Sequence, residues 1–430
     1  MPDGDLRFPD GFLWGCATAA HQVEGGNDND WREFERRPGA IRDGSTSEVA
    51  CDHWNRFPQD LADLAALGQN AHRFSVEWSR IEPREGVIDH AALDHYGAVV
   101  DACVGLGMEP VVTLLHFSLP RWLADFGGVR AACAPARFAR FAALVSDRLG
   151  DRVQWWVTIN EPVVSATLGY LRGEWPPGQR SLPEALDAVR CQLRMHSAAT
   201  RALRSVAGRR DRQARVGVAH HLRGLLPANP RNPLDRAVTV LPDLVLNRWW
   251  LRACVDGRMR PPLGGGQRVP GAAGSLDFVG LNYYCDDLLR FDWRRPAELF
   301  TRQVENPSRP RSTFGWAIEP DGLRRALHTV AGLAPGLPVL ITENGVADAA
   351  DELRPGFLVD HLRAVHQAMA EGVDVRGYLY WTSMDNFEWA EGYCQRFGLF
   401  SVDRATLARA AKPSAAVYAS ICRANAVPGA

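Results

Sequence analysis

The chain predicts an α/β fold, a single (β/α)8 TIM barrel with long βα loops, and three observations lead there. Eight short apolar runs recur along the 430 residues. A helical pattern follows them, and no change of composition or low-complexity linker divides the chain. The runs are 12–19, 71–78, 110–117, 154–160, 215–221, 276–284, 338–343 and 376–383. They are continuous rather than alternating, and rich in Val, Ile, Phe and Tyr, as strands buried on both faces require. Amphipathic stretches lie between them at 57–67, 91–106, 135–149, 182–206, 322–333 and 356–370; in the first, Leu61, Leu64, Ala65 and Leu67 share one side. A compact barrel of this kind needs only about 250 residues, so the surplus lies in loops. The Pro/Gly-rich segment 261–274 and the Arg/Pro-rich segment 286–311 are the longest excursions, placed after strands five and six. Part of that surplus is expected to wall a pocket. Residues 1–430 read as one domain.

Composition narrows the function. The chain carries 49 basic and 50 acidic residues, a net charge of −1. That balance argues against a broad basic surface, so neither nucleic acid nor an anionic membrane is an expected partner. The most apolar stretch, 97–124, is interrupted by Asp101, Glu109, Pro110 and His116 and cannot be a membrane span. Nine cysteines are scattered without a CxxC pair, which predicts buried free thiols rather than a disulfide framework or zinc cluster. The first ten residues are polar and acidic, with no basic-then-apolar leader pattern, so the cytoplasm is the expected location.

The chemistry is expected at the strand ends. Strand one runs into His21-Gln22, strand two carries Arg73, and strand three ends with His116. Strand four ends Asn160-Glu161-Pro162, strand six Asn282-Tyr283-Tyr284, and strand seven Glu343-Asn344-Gly345. Strand eight leads through Trp381 to Asp385-Asn386-Phe387-Glu388-Trp389. Polar groups at the ends of buried parallel strands are poor core residues, because an unpaired buried charge costs several kcal/mol in round figures. Gathered at one mouth, they form a cup of carboxylates, amides and indoles. Such a cup suits a sugar, with indole faces for the C–H face of a pyranose and polar groups for its hydroxyls. Two carboxyls supply what glycoside cleavage needs, a proton donor and a nucleophile or stabiliser. Trp155, Trp156, Trp249 and Trp250 are expected in the core, whereas Trp381 and Trp389 are expected to face the sugar. His21, His116, His220 and His221 lack HxH or HExxH spacing, so no metal is expected.

These motifs resemble glycoside hydrolase family 1, the retaining β-glucosidase family, over nearly the whole chain. They are FLWGCATAAHQVEG at 12–25, RFSVEWSRIEP at 73–83, TLLHFSLPRW at 113–122, TINEP at 158–162, DFVGLNYY at 277–284, ITENG at 341–345 and WTSMDNFEWAEGYCQRFGL at 381–399. The resemblance implies a β-glycosidase without cofactor or metal, acting on β-glucosides or short β-linked oligosaccharides. It implies Glu161 as acid/base and Glu343 as nucleophile, with Arg73 and Tyr284 in contact with the nucleophile. Asn160 would hold the sugar 2-hydroxyl, Gln22, His116, Glu388 and Trp389 the remaining hydroxyls, and Trp381 would lie beneath the ring.

The residue chemistry agrees with that assignment. Glu343 beside cationic Arg73 is expected to be ionised, and Glu161 facing that charge to keep its proton. Retention requires the two carboxyls about 5–5.5 Å apart. His21 and Thr382-Ser383 depart from the commoner family pattern. Glu388 points to an unphosphorylated sugar, since a carboxylate repels phosphate, and Glu161 points away from thioglucosidases, which typically have Gln there. Transglycosylation, galacto or fuco preference, and a non-catalytic sugar-binding barrel stay open at this point. The aglycone is expected to meet the loops at 169–177 and 286–311.

Overall fold

The computed structural model describes residues 4–429, with only the backbone of Ala297. Eight strands form a closed barrel: β1 Leu13–Ala17, β2 Ala71–Ser75, β3 Glu109–Leu115, β4 Trp155–Asn160, β5 Arg215–His221, β6 Val279–Asn282, β7 Val339–Asn344 and β8 Val375–Trp381. Every neighbouring pair is parallel, and β8 closes on β1 from Gly377 opposite Leu13 to Trp381 opposite Ala17. Each predicted run contains one strand, with ends displaced by a few residues. The runs are apolar throughout because both faces are covered, by the barrel interior and by the helical ring.

That ring consists of α1 His53–Ala66, α2 His90–Gly105, α3 Ala134–Leu149, α4 Leu182–Arg209, α5 Pro233–Pro242, α6 Trp249–Asp256, α7 Pro320–Leu333, α8 Arg354–Ala370 and α9 Pro413–Ala424. Three of these, α5, α6 and α9, lie outside the predicted stretches. A wide π-type turn, Asp243–Arg248, separates α5 from α6 just after Pro242 and breaks the apolar period that would have marked them. For α9 local signals exist: Pro413 occupies the first turn, and Asn425 takes the left-handed position past its end. Its Tyr418 hydroxyl contacts the carbonyls of Gly15 and Tyr378 (2.8 and 3.1 Å), which ties the last helix to the β1–β8 seam.

The two long excursions differ from expectation. Residues 261–274 follow α6 rather than a strand and run along the outside of α4, where Arg190, Arg201 and Arg204 donate to the carbonyls of Pro262, Pro270 and Gly274, so they do not line the cavity at the strand C-termini. The segment 286–311 contains an antiparallel hairpin, Asp286–Phe291 with Thr301–Val304, and Gly224–Pro227 joins it as a third strand. Trp156 and Trp250 are fully buried, Trp155 is buried and Trp249 packs against the core, as expected of them. No helix among the described residues is long and apolar enough to cross a membrane.

Candidate active site

Parallel strands open together at their C-terminal ends, and here the ends of β3 to β8 each deliver at least one polar or aromatic side chain to a cavity of about 460 Å³. Glu161, Glu343, Tyr284, His116, Trp381, Glu388 and Trp389 line it. Arg73, Asn160 and Gln22 lie beneath that lining and bind its members through hydrogen bonds. All ten side chains selected from sequence are therefore brought together.

Arg73 organises the floor. Its side chain is fully buried on β2, and its Nη1 donates to Glu343 Oε1 (2.6 Å) and to the Thr342 carbonyl (3.1 Å). Nη2 donates to Asn160 Oδ1 (2.7 Å), and Nε to Thr113 Oγ1 (3.0 Å). The Tyr284 hydroxyl donates to the other Glu343 oxygen, Oε2 (2.7 Å). Asn282 Nδ2 bridges to the second carboxyl, donating to Asn160 Oδ1 (3.1 Å) and to Glu161 Oε1 (2.7 Å). Its own Oδ1 accepts from Thr342 Oγ1 (2.6 Å). One connected network thus runs from Glu343 through Arg73, Asn160 and Asn282 to Glu161.

Local backbone shape aims several of these groups. Glu161 has φ 44°, in the left-handed region that a residue with a Cβ rarely adopts, and Pro162 then begins a short helix. Phe117 and Trp389, at φ 70° and 49°, are held in the same region at the rim. Since Asn160 uses its oxygen on Arg73, its Nδ2 donates to His116 Nε2 (3.1 Å). That fixes the imidazole proton on Nδ1, which has no protein partner. Burial and the Arg73 charge hold His116 well below the usual imidazole range, so it is neutral. Gln22 Nε2 donates to the Phe387 carbonyl (2.9 Å) and to Glu388 Oε2 (3.2 Å), while its Oε1 is buried without a partner. Unsatisfied buried donors and acceptors around a cavity are what a polyhydroxylated ligand would complete.

The indoles stack along one wall. His116 lies nearly parallel to Trp381 and Trp389, with ring centroids 5.9 and 6.0 Å apart. His21, the departure noted in sequence, stacks on Trp389 at 9° and is clamped by Glu35 (2.8 Å) and Asn29 (3.0 Å). It therefore supports the cup from behind. Thr382 likewise binds the Ala17 carbonyl (2.5 Å) and belongs to the scaffold. Outward, the wall is made by Phe117, Thr167, Leu168, Trp175, Phe314 and Trp316. The 169–177 loop is represented there, but 286–311 is not. The chain just beyond it, at 314–316, takes that place, because the hairpin turns outward to pair with Gly224–Pro227.

The two carboxyls compete for protons. Burial, reinforced by the negative charge of Glu161, pushes Glu343 up to about 7 against the pull of Arg73. Burial also pushes Glu161 up, but the His221 charge and the hydrogen bonds from His221 and Asn282 bring it below its ordinary range. That order depends on a protonated imidazole, whereas Arg73 is charged throughout. With His221 neutral, Glu343 is the better-held anion, with a guanidinium and a phenol as donors. The expectation of an ionised Glu343 and a protonated Glu161 therefore depends on His221, a residue to which sequence assigned no role. Burial and the charge of Glu343 also push Glu388 up to about 8, leaving it largely protonated at neutral pH.

His221 and Asn282 both contact Glu161 and are neighbours to which sequence reasoning gave no role, although Asn282 was already among the strand-end polar residues. The signal was present: His221 ends the continuous run of β5, in the same way that the other site residues end theirs.

The family model for glycosyl hydrolase family 1 matches residues 5–263 and 266–427. The chain is 33% identical to β-glucosidase A of Thermotoga maritima over 97% of its length and 98% of that protein's. It is 37% identical to the thermostable β-glucosidase B of Thermobispora bispora, over 98% and 92% of the two chains. The solved structure of a family 1 β-glucosidase from Thermotoga maritima superposes with a TM-score of 0.92 at 33% identity, covering 98% of this chain and 99% of that one. With the barrel, the strand-end constellation and these matches in agreement, the chain belongs to glycosyl hydrolase family 1, the O-glycosyl hydrolases whose motifs its sequence resembles.

Proposed function

We propose that this protein is a retaining β-glycosidase, specifically a β-glucosidase that removes terminal non-reducing β-D-glucosyl residues from β-glucosides or short β-linked oligosaccharides. The observation that carries this reading is the pair of buried carboxyls, Glu161 and Glu343, on one hydrogen-bond network at the floor of a sugar-sized, indole-walled cup. The relatives named β-glucosidases support the choice of sugar.

In this mechanism a Glu343 oxygen attacks the anomeric carbon. The glycosidic C–O bond breaks with its electron pair on oxygen, and Glu161 delivers a proton to that oxygen. Loss of the Glu343 charge lowers the affinity of Glu161 for a proton. Glu161 then takes one from water, whose oxygen displaces Glu343 from the opposite face. Two inversions return the β anomer. Arg73 and Tyr284 orient Glu343 and stabilise it as the leaving carboxylate of the second step. Asn160, fixed by Arg73, holds the 2-hydroxyl, where contacts tighten in the transition state. Gln22, His116, Glu388 and Trp389 take the other hydroxyls, and Trp381 lies beneath the ring.

Proton NMR of the sugar first released from an aryl β-glucoside tests the stereochemistry: β-glucose is expected, and α-glucose as the first product overturns the assignment. Glu343→Ala should lower kcat by about 10⁴-fold or more. Azide should then restore turnover with the inverted α-glucosyl azide as product.

A further inference from the structure

Glu161 Oε1 has two neighbours, Asn282 Nδ2 at 2.7 Å and His221 Nδ1 at 3.2 Å. Its Oε2 has no hydrogen-bond partner among the described residues, and is the atom left for a substrate. His221 is the last residue of β5, its side chain 19% exposed, and its ring lies over Tyr284 at 22° with centroids 6.2 Å apart. The adjacent His220 faces the other way and is bound to the Asn247 carbonyl (2.7 Å). We infer that His221 is a positioning residue for proton transfer, which grips Glu161 Oε1 and determines whether the catalytic proton resides on Glu161 or on Glu343. This inference rests on the acid/base reading of Glu161 given above.

The surroundings leave His221 as the variable element. Facing the pair are Arg73 from β2, neutral His116 after β3, Tyr284 after β6, Glu343 from β7 and Glu388 after β8. Burial and the neighbouring carboxylates hold Tyr284 well above the ordinary phenol range, so it stays protonated. Arg223, on the same wall, is engaged by Asp287 (2.8 Å), and Arg172 by Glu174 (2.7 Å). Arg73 is charged at any working pH, and it sits on Glu343. A protonated His221 puts a second cation against Glu161 and draws the negative charge there, which leaves the proton on the nucleophile. A neutral His221 releases that hold, so that Oε2 keeps its proton for the departing oxygen. After the glycosyl-enzyme forms, the same imidazole favours an ionised Glu161, as the base step requires.

The test compares kcat/KM against pH for the wild type and His221→Asn, which keeps an N–H donor but cannot become a cation. Two substrates are used: an alkyl β-glucoside, whose departure needs a proton, and 2,4-dinitrophenyl β-glucoside, whose departure does not. An opposite charge within about 4–6 Å lowers a carboxyl by roughly 1–3 units, and partial exposure of His221 places the effect at the low end. Over the pH range in which the wild-type imidazole is protonated, its removal therefore raises Glu161. The alkaline limb for the alkyl glucoside should move up by about one pH unit, with no matching movement for the dinitrophenyl substrate. An unmoved limb, or an equal shift on both substrates, overturns the inference. His221→Gln, run in parallel, must give the same result and decides the matter if His221→Asn does not fold. Glu161→Gln separates the two layers of argument. If it fails to slow the alkyl glucoside more than the dinitrophenyl one, the acid/base reading itself falls. If that difference stands while the His221→Asn limb stays in place, only the role of His221 is lost.

Discussion

Among the described residues, two arginine–carboxylate pairs have an arginine side chain with no exposure at all, and they illustrate opposite uses of one interaction. At the barrel mouth, Arg73 holds Glu343. At the start of α8, Arg354 holds Asp351, and both arginine side chains are fully buried. Arg354 also donates to Tyr380 Oη (2.9 Å) and to the carbonyls of Asp348 (2.7 Å) and Arg396 (2.9 Å). Asp351 accepts from the backbone N–H and the hydroxyl of Ser414, both at 2.7 Å. Donors and acceptors there are turned onto the scaffold, and they join β8, α8 and the first turn of α9. Glu343 receives one donor on each oxygen, from Arg73 and Tyr284, and otherwise borders the cavity. Burial is the same in the two places. What differs is whether the carboxylate has lone pairs left facing open space, and that separates the proposed nucleophile from a staple.

Removing the arginines should therefore damage different properties. Arg73→Met leaves Glu343 without its cation in a site whose burial already raises it. Deleting one such charge-stabilising donor costs about 10²–10³ in rate, and the permanent charge places Arg73 at the upper end. Its kcat/KM should fall about 10³-fold. Because Arg73 lowers Glu343, its loss raises the pH at which the nucleophile ionises. The acid limb of the residual activity should therefore move upward. Arg354→Met strands Asp351 as an uncompensated buried charge, which typically costs about 3–5 kcal/mol. Urea denaturation should register that loss, while kcat/KM of the folded protein stays within about twofold because the pair does not touch the cavity. If Arg354→Met instead lowered kcat/KM as deeply as Arg73→Met, the division between nucleophile and staple would collapse.

The same contrast explains what was legible in sequence. The barrel was, because strands buried on both faces leave continuous apolar runs that polar loops cannot imitate. Arg73 stood out because it interrupts such a run, and Glu161 and Glu343 because charge at the end of one has no packing explanation. His221 obeys the same rule. It escaped because β5 ends in two histidines, of which one, His220, is an ordinary buried residue bound to a backbone carbonyl. Only the fold tells which ring faces Glu161. The rim was less legible again. Trp316 reaches the cavity because the hairpin before it pairs with Gly224–Pro227, a contact between segments some sixty positions apart that leaves no local period. Residues 261–274 misled for the opposite reason: loop composition does not tell a segment that follows a strand from one that follows a helix, and only α6, unseen in the sequence pattern, shows that this one follows a helix and packs along α4.

Each buried pair also has a tyrosine, which gives the comparison its finest test. The Tyr284 hydroxyl donates to Glu343 Oε2 (2.7 Å), whereas Tyr380 accepts from Arg354 and donates to the Phe397 carbonyl (3.1 Å). A hydrogen bond to a charged group contributes about 1.5–3 kcal/mol, so Tyr284→Phe should lower kcat/KM roughly 10- to 100-fold. Its acid limb should again move upward, since the phenol O–H helps hold Glu343 ionised. Stability should barely change, because the oxygen borders a cavity that admits water in its place. Tyr380→Phe strands two buried groups and should lower unfolding free energy by about 1–3 kcal/mol. Its pH profile should match the wild type, because no titrating group of the cup touches that hydroxyl. Together the two phenylalanine variants ask whether an identical deletion of one oxygen is read out in rate on one side of the barrel wall and in stability on the other. If Tyr284→Phe instead left the acid limb in place, its hydroxyl would be scaffold after all, and Arg73 alone would set the state of the nucleophile.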